Sequence, residues 1–161
     1  MGLAVAFTGP SNSGKTTLIE KVAQKLLPKH RVVIVKHDPK DKAQFDTAGK
    51  DSWRFFQTGA DVVVASPTRT TYFSHEAKDL KRIVSMVGEF DFLLVEGLKT
   101  WPLPRIAIFR GQIDESYLEV SDAVAIDGSV DRSRIPEGLD VLDLNDPDNV
   151  VRWILKNAQK V

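Results

Sequence analysis

The sequence predicts a three-layer α/β fold, a mostly parallel, doubly wound sheet flanked by helices, on three observations. The first is Gly9-Pro10-Ser11-Asn12-Ser13-Gly14-Lys15-Thr16-Thr17, which fits the phosphate-loop pattern G-x-x-x-x-G-K-[ST]. The second is its flanks. The apolar run Leu3–Thr8 feeds into the first glycine, and Leu18, Ile19, Val22, Ala23, Leu26 and Leu27 repeat at helical spacing after the lysine. The third is a succession of further short apolar runs alternating with helical or polar segments, the pattern of strands in a sheet covered on both faces.

The chemistry of the loop is local. Glycines let the backbone curl so that its N–H groups point inward at phosphate oxygens. The helix that follows adds its unpaired first-turn amides and the positive end of its dipole. Gly9, Pro10, Ser11, Asn12, Ser13, Gly14, Lys15, Thr16 and Thr17 are therefore the expected phosphate-binding segment, with Lys15 reaching the β- and γ-phosphates and the Thr16 hydroxyl on Mg²⁺. This makes the expected fold a P-loop NTPase, as a single nucleotide-binding domain over residues 1–161.

With 22 basic and 22 acidic residues the formal charge is zero, so no global field favours nucleic acid or an anionic membrane. The chain has no cysteine, which excludes disulfides and thiolate metal sites. No signal-peptide pattern opens it, and no apolar run approaches the ~20 residues of a membrane span. Met1-Gly2 could open a myristoylation motif, but Ala6 stands where Ser or Thr is required. A soluble, cytoplasmic protein is expected.

Taken in order, the first helix should stop near Leu27-Pro28, because proline disfavours a helical residue before it. Arg31–Lys36 follows as a strand, completing a β–α–β unit. His37–Gly49 is a long polar loop leaving the carboxyl end of that strand, where open α/β sheets place ligands. Lys50–Gln57 is a short helix closed by Gly59. Asp61–Ser66 and Thr70–Phe73 read as strands of a hairpin turning at Pro67–Arg69. Ser74 is expected to cap a helix with Leu80, Ile83, Val84 and Val87 on one face, ended by Gly88. Phe92–Val95 is a strand stopping at Glu96-Gly97. Leu98–Pro104 is a loop containing Trp101, followed by the strand Arg105–Phe109. Asp122–Asp127 and Asp140–Leu144 are the last predicted strands, with a loop, Gly128–Gly138, between them. The final helix has Asp146 as cap, Pro147 at its first position, and Val150, Val151, Ile154, Leu155 and Ala158 as its expected inward face.

Glu96 is the second informative residue. A carboxylate ending an apolar strand is what the Mg²⁺ side of a P-loop site needs, to order the ion's water shell or position an attacking water. Asp38, Asp46 and Asp51 could serve the same side from the loop after the second strand, as a switch loop would, or could be solvated charges with Asp51 favouring its helix N-terminus. His37 lies near the expected site, though a lone histidine there is more often structural. His30 and His75 should be solvated. Trp101 is either a partner anchor or a locally packed ring, and Trp53, Phe55 and Phe56 cannot all face one core. No N-K-x-D guanine-reading tetrapeptide occurs. By position, Asp127 and Asp143 could accept hydrogen bonds from a guanine edge.

Three stretches together resemble one family: Gly9–Thr17; Lys36-His37, Phe45-Asp46, Gly49-Lys50-Asp51-Ser52 and Gly59-Ala60-Asp61; and Val95-Glu96-Gly97-Leu98-Lys99 with Pro104-Arg105-Ile106. Over roughly residues 3–127 the chain is similar to the MobB family of molybdopterin-guanine dinucleotide biosynthesis adaptor proteins. The resemblance implies a GTP-binding, Mg²⁺-dependent P-loop protein with weak GTPase activity, usually a homodimer. It further implies cooperation with the MobA-type molybdopterin nucleotidyltransferase when GMP is attached to molybdopterin, with molybdopterin itself a candidate contact. On this basis Lys15, Glu96 and Asp51 are the expected catalytic residues, Thr16, Glu96 and Asp51 the metal side, and Asp46 with the Gly49-Lys50-Asp51-Ser52 segment the loop facing the nucleotide. The chain departs from many members in having Asp38-Pro39 after the Lys-His pair and Ala48 before Gly49, so no histidine-cluster role is carried over. A P-loop small-molecule kinase is the alternative, with Arg132 and Arg134 as its lid. A nickel-insertion GTPase is a third reading, which the lack of cysteine weakens.

Overall fold

The computed structural model describes residues 2–161; Met1, and with it the start of the Met1-Gly2 motif, lies outside the described residues. In chain order the elements are β1 (Leu3–Thr8), α1 (Lys15–Leu26), β2 (Val32–Lys36), α2 (Asp51–Gln57), β3 (Val62–Ala65), β4 (Thr70–Phe73), α3 (Leu80–Val87), β5 (Phe92–Glu96), β6 (Arg105–Phe109), α4 (Glu115–Leu118), β7 (Ala123–Ile126), β8 (Asp140–Asp143), α5 (Pro147–Asn157) and β9 (Gln159–Lys160). They fall into two compact units, one comprising the residues up to His37 with Val87–Val161, the other Asp38–Met86.

In the first unit the apolar runs become a sheet of order β2-β5-β1-β6-β7-β8, with every one of these pairings parallel. The sheet is flanked by helices, as expected. β5 intervenes between β1 and β2, so the first crossover skips a strand. Strand order reverses at β1, with β5 and β2 on one side and β6 to β8 on the other. In an open α/β sheet the carboxyl ends at that reversal form the ligand-binding crevice.

Side-chain alternation sorts the strands onto two cores. Val5, Phe7, Phe92, Leu94, Ile106, Ile108 and Ala125 pack with Leu18, Val22 and Leu26 of α1 and Val150, Trp153 and Ile154 of α5. Ala107, Phe109, Val124 and Ile126 face the other way, against Leu118 of α4 and Val130. β2 departs from the expected two-sided burial, because it is the edge strand and leaves Ile34 half exposed.

The C-terminal helix is capped as read, Asp146 Oδ1 accepting from the Asn149 amide at 3.1 Å. Its inward face differs. Leu155 is exposed, and Trp153 is buried with its indole N–H donating to Asp140 at 2.8 Å. The stripe is therefore Val150–Trp153–Ile154, the i, i+3, i+4 spacing that one helix face allows. Beyond it Ala158 is extended, and β9 pairs antiparallel with Leu3 and Ala4. Neither α4 nor this closing strand is legible as an apolar run.

The second unit holds α2, the β3–β4 hairpin and most of α3, and none of its residues is buried. Its order is carried by side chains that bond the backbone. Asp79, rather than Ser74, caps α3, accepting from the Arg82 amide at 2.9 Å. Ser74 lies six positions before Leu80, too far for a cap, and its hydroxyl accepts from the Glu76 amide instead. Phe56 and Trp53 are partly covered while Phe55 is exposed. His75 is not simply solvated: its ring stacks on Phe56 with centroids 3.7 Å apart. In the first unit His30 likewise meets Phe92 edge-on and lies 3.7 Å from Asp91.

Candidate functional site

The chain leaves β1 at Thr8 and turns sharply enough that Gly9 has φ +150° and Asn12 φ +62°. A Cβ at Gly9 would sit 2.5 Å from the Ile108 carbonyl oxygen, so only glycine lets the loop pass this close to β6. Ser13 is buried, and its hydroxyl has no hydrogen-bond partner among the described residues. Gly14, left-handed at φ 92°, opens α1, whose first-turn amides no helix can pair internally. The loop and the start of α1 line a cavity of about 550 Å³ with Lys36, Glu96 and Arg110.

These residues come from the carboxyl ends of four adjacent strands. Lys15, at the head of α1, donates to the Gly9 carbonyl at 3.0 Å and lies 2.9 Å from Glu96 Oε1. Lys36, ending β2, lies 3.3 Å from Glu96 Oε2. The register pairs Lys36 with Glu96 and Phe7 with Glu96, so the sheet itself brings the acid to the loop. Burial alone would raise the Glu96 carboxyl, but the hydrogen bond and charge of Lys15, joined by Lys36, outweigh it and hold Glu96 below its ordinary value. Three cations, one ionised acid and a ring of amides suit a polyphosphate. Mg²⁺ at such a loop takes one hydroxyl, phosphate oxygens and water, so it needs no cluster of three acidic or histidine ligands; none is found among the described residues.

The turn after Glu96 is fixed by Arg105, a residue to which the sequence alone assigns no role. Arg105 is 1% exposed, and its guanidinium donates to the carbonyls of Gly97 at 2.6 Å, Leu98 at 2.8 Å and Trp101 at 3.2 Å. Burial lowers its pKa, partly offset by Asp122. Leu98 is held at φ +53°, a strained setting for a branched side chain. Gly97 leaves room for the His37 ring: a Cβ there would lie 2.9 Å from His37 Cβ. His37 thus packs against Gly97, its amide donating to the Glu96 carbonyl at 3.0 Å, and Trp101 is half-buried. The legible signal for Arg105 was a charge opening an otherwise apolar strand.

Arg110, just past β6, was also missed. Its guanidinium lies over Gly14 and 3.5 Å from Asp127 Oδ2, at the end of β7. Asp127 Oδ1 accepts from the amide of Ser129 at 3.0 Å and from its hydroxyl, and these bonds, with Arg110, hold the carboxyl below its ordinary value. Asp127 and Asp143 share a neighbouring cavity of about 610 Å³ with Asn145, Asn149 and Arg132. Arg132 and Arg134 stand on a short 3₁₀ turn, Arg132–Arg134.

The remaining predicted residues lie in the second unit. Asp51 is the first residue of α2, after Lys50. Asp46 Oδ1 accepts from the Thr47 amide at 2.8 Å and the Ser52 hydroxyl at 3.0 Å, while its Oδ2 is buried without a partner among the described residues. Asp38 Oδ2 accepts from the Ala43 amide at 2.7 Å.

The family model for molybdopterin guanine dinucleotide synthesis protein B, MobB, matches residues 4–127. A curated relative from Haemophilus influenzae, a molybdopterin-guanine dinucleotide biosynthesis adapter protein, is 34% identical over 127 residues, spanning 74% of this chain and 70% of its own length. Its Escherichia coli counterpart of the same description is 31% identical over 169 aligned positions, spanning 97% and 93%. Among solved structures, that of Bacillus subtilis MobB superimposes with a TM-score of 0.77 at 26% identity, over 99% of both chains.

Proposed function

This chain belongs to the MobB family of molybdopterin guanine dinucleotide synthesis proteins, and from that membership we propose that it is an adapter whose phosphate loop binds GTP with Mg²⁺ and hydrolyses it slowly. The observation that carries the reading is the Lys15–Glu96 pair, 2.9 Å long, in the wall of a cavity of about 550 Å³ that is also lined by residues 10–12, 14, 16 and 17. Bound triphosphate would take Lys15 onto its β- and γ-oxygens and free Glu96 to order water around Mg²⁺, with Thr16 as the ion's protein ligand. Asp51 is the further acid assigned to the metal side, by resemblance alone.

The adapter role is directed at the MobA-type nucleotidyltransferase, in the cytoplasm, and the working form is a homodimer. Support for the dimer comes from the β3–β4 hairpin. Its strands pair only with each other among the described residues, and Val63, Val64 and Tyr72 are exposed on it. Among the described residues no helix is long and apolar enough to cross a membrane.

Titration with a fluorescent GTP analogue, with and without Mg²⁺, tests the core of the reading. Saturable binding and a turnover well below the ~1–10³ s⁻¹ of ordinary enzymes are expected. Lys15→Ala should weaken binding by about 100-fold or more, whereas Glu96→Ala should spare binding and slow hydrolysis. Rapid ATP consumption triggered by a small metabolite would replace the adapter with a kinase. A pull-down with the nucleotidyltransferase, with and without GTP, tests the partner.

A further inference from the structure

Of the three cations that line the phosphate cavity, Arg110 is the one that neither the P-loop pattern nor a pairing with Glu96 accounts for. Lys15 belongs to the motif, and Lys36 is tied to Glu96 across adjacent strands. Arg110 lies outside the motif and close over it: the Cζ, Nη2 and Nε atoms come within 3.0–3.3 Å of where a Gly14 side chain would begin. The guanidinium is therefore laid on the loop at the residue that opens α1, where phosphate oxygens meet helix amides.

Its one ion pair among the described residues is loose. Asp127 Oδ2 is 3.5 Å from Arg110 Nε, and the Arg110 side chain is 47% exposed. The other carboxyl oxygen of Asp127 is committed to the amide and hydroxyl of Ser129. Asp127 is thus anchored by its own turn whether or not Arg110 stays, and the arginine can leave without unmaking that turn. A half-exposed ion pair contributes little to stability. A guanidinium that donates two parallel bonds to a phosphate gains more than it gives up there.

We propose that Arg110 is a further polyphosphate-binding residue of this cavity, a cation supplied from the end of β6 and held over Gly14 by Asp127 until an anion takes it. The proposal rests on the reading of residues 9–17 as a phosphate site. It adds a contact on the side of the loop opposite Glu96's strand, since β6 and β5 flank β1. Asp127 then acts on phosphate binding by competing for the arginine.

Inorganic tripolyphosphate is the probe, because it carries no base and so is blind to any role of Asp127 in reading one. Its affinity is measured by calorimetry for the full chain and for Lys15→Ala, Arg110→Gln, Arg110→Lys and Asp127→Asn, with thermal unfolding followed on each. Arg110→Gln should weaken binding about tenfold or more. Arg110→Lys should recover part of it, and Asp127→Asn should leave binding equal or tighter. Unchanged affinity in Arg110→Gln overturns the proposal. So does an equal loss in Arg110→Gln and Asp127→Asn, which would make the pair a brace. Failure of the unsubstituted chain to bind tripolyphosphate, or indifference to Lys15→Ala, removes the underlying phosphate site itself.

Discussion

All nine residues of β6 and β7 are buried, whereas not one residue from 38 to 86 is. The first region is ordered by packing: alternate residues of its strands interdigitate with helices on both faces, and the loops at its carboxyl ends inherit that rigidity. The second is ordered by bonds between neighbours in sequence. Asp46 ties to Thr47 and Ser52, Ser66 to the Arg69 carbonyl, and Asp79 to Arg82. A segment this small cannot bury enough apolar surface to do otherwise. Precision at the site therefore resides in the sheet. Lys15, Glu96 and Arg110 are set by the sheet, and Asp46 and Asp51 by turns.

Core truncation gives the largest test. Phe7→Ala empties a fully buried site on the central strand and should cost about 3–5 kcal/mol in chemical denaturation. Phe55→Ala, on the exposed side of α2, should stay within about 0.5 kcal/mol. Equal losses would mean that the second unit has a core after all.

Arg105 comes next. Arg105→Met fills much of the volume but removes the guanidinium bond from three carbonyls, of which Leu98 and Trp101 keep the amide donors Trp101 and Leu103 while Gly97 keeps none among the described residues, a cost of about 1–3 kcal/mol. Because those carbonyls shape the turn after Glu96, GTP hydrolysis should fall more than GTP binding. Equal loss of both would make Arg105 a fold residue only.

The pH dependence is smaller, and its sign is fixed. Glu96 is held below its ordinary value of 4.5. The folded state therefore binds that proton less readily than the unfolded one, and the stabilisation is present above pH ~4.5. It is lost as pH falls through the lower, folded value. Urea midpoints measured from pH 6 down to pH 3 should drop less steeply in Glu96→Gln than in the unsubstituted chain.

The same contrast between packing and local bonding decides which features are legible in the chain. Strands such as Phe92–Val95 and Ile106–Phe109 announce themselves because burial on both faces demands an unbroken apolar run, and the P-loop because its backbone path demands glycines. Asp146-Pro147 was equally plain, since a cap acts within one turn. What stayed hidden is non-local. The roles of Arg105 and Arg110 depend on loops eight and 96 positions away in sequence being brought beside them, at Gly97 and Gly14. β9 is two polar residues whose only qualification is a free stretch of β1 opposite. The misplaced cap at Ser74 failed for the reverse reason: in the second unit several hydroxyl and carboxyl groups compete for nearby amides, and spacing alone does not choose among them.

The smallest effect tests the second unit's own bonding. Asp61 accepts from the Tyr72 hydroxyl at 2.9 Å and the His75 amide at 2.9 Å, so one carboxylate ties the start of β3 to the end of β4 and the turn beyond. The His75 amide, then Tyr72, lower its pKa from the ordinary 3.8, which places its contribution above that pH and its loss below it. Tyr72→Phe removes one of the bonds and leaves the amide in place. Were the unit ordered by packing, deleting a hydroxyl at an exposed tyrosine would be silent. Ordered by local bonds, it should raise amide exchange across residues 61–75 by a few-fold, while exchange in β1, β5 and β6 stays unchanged. A change that spreads into those central strands would show that the two regions do not open separately.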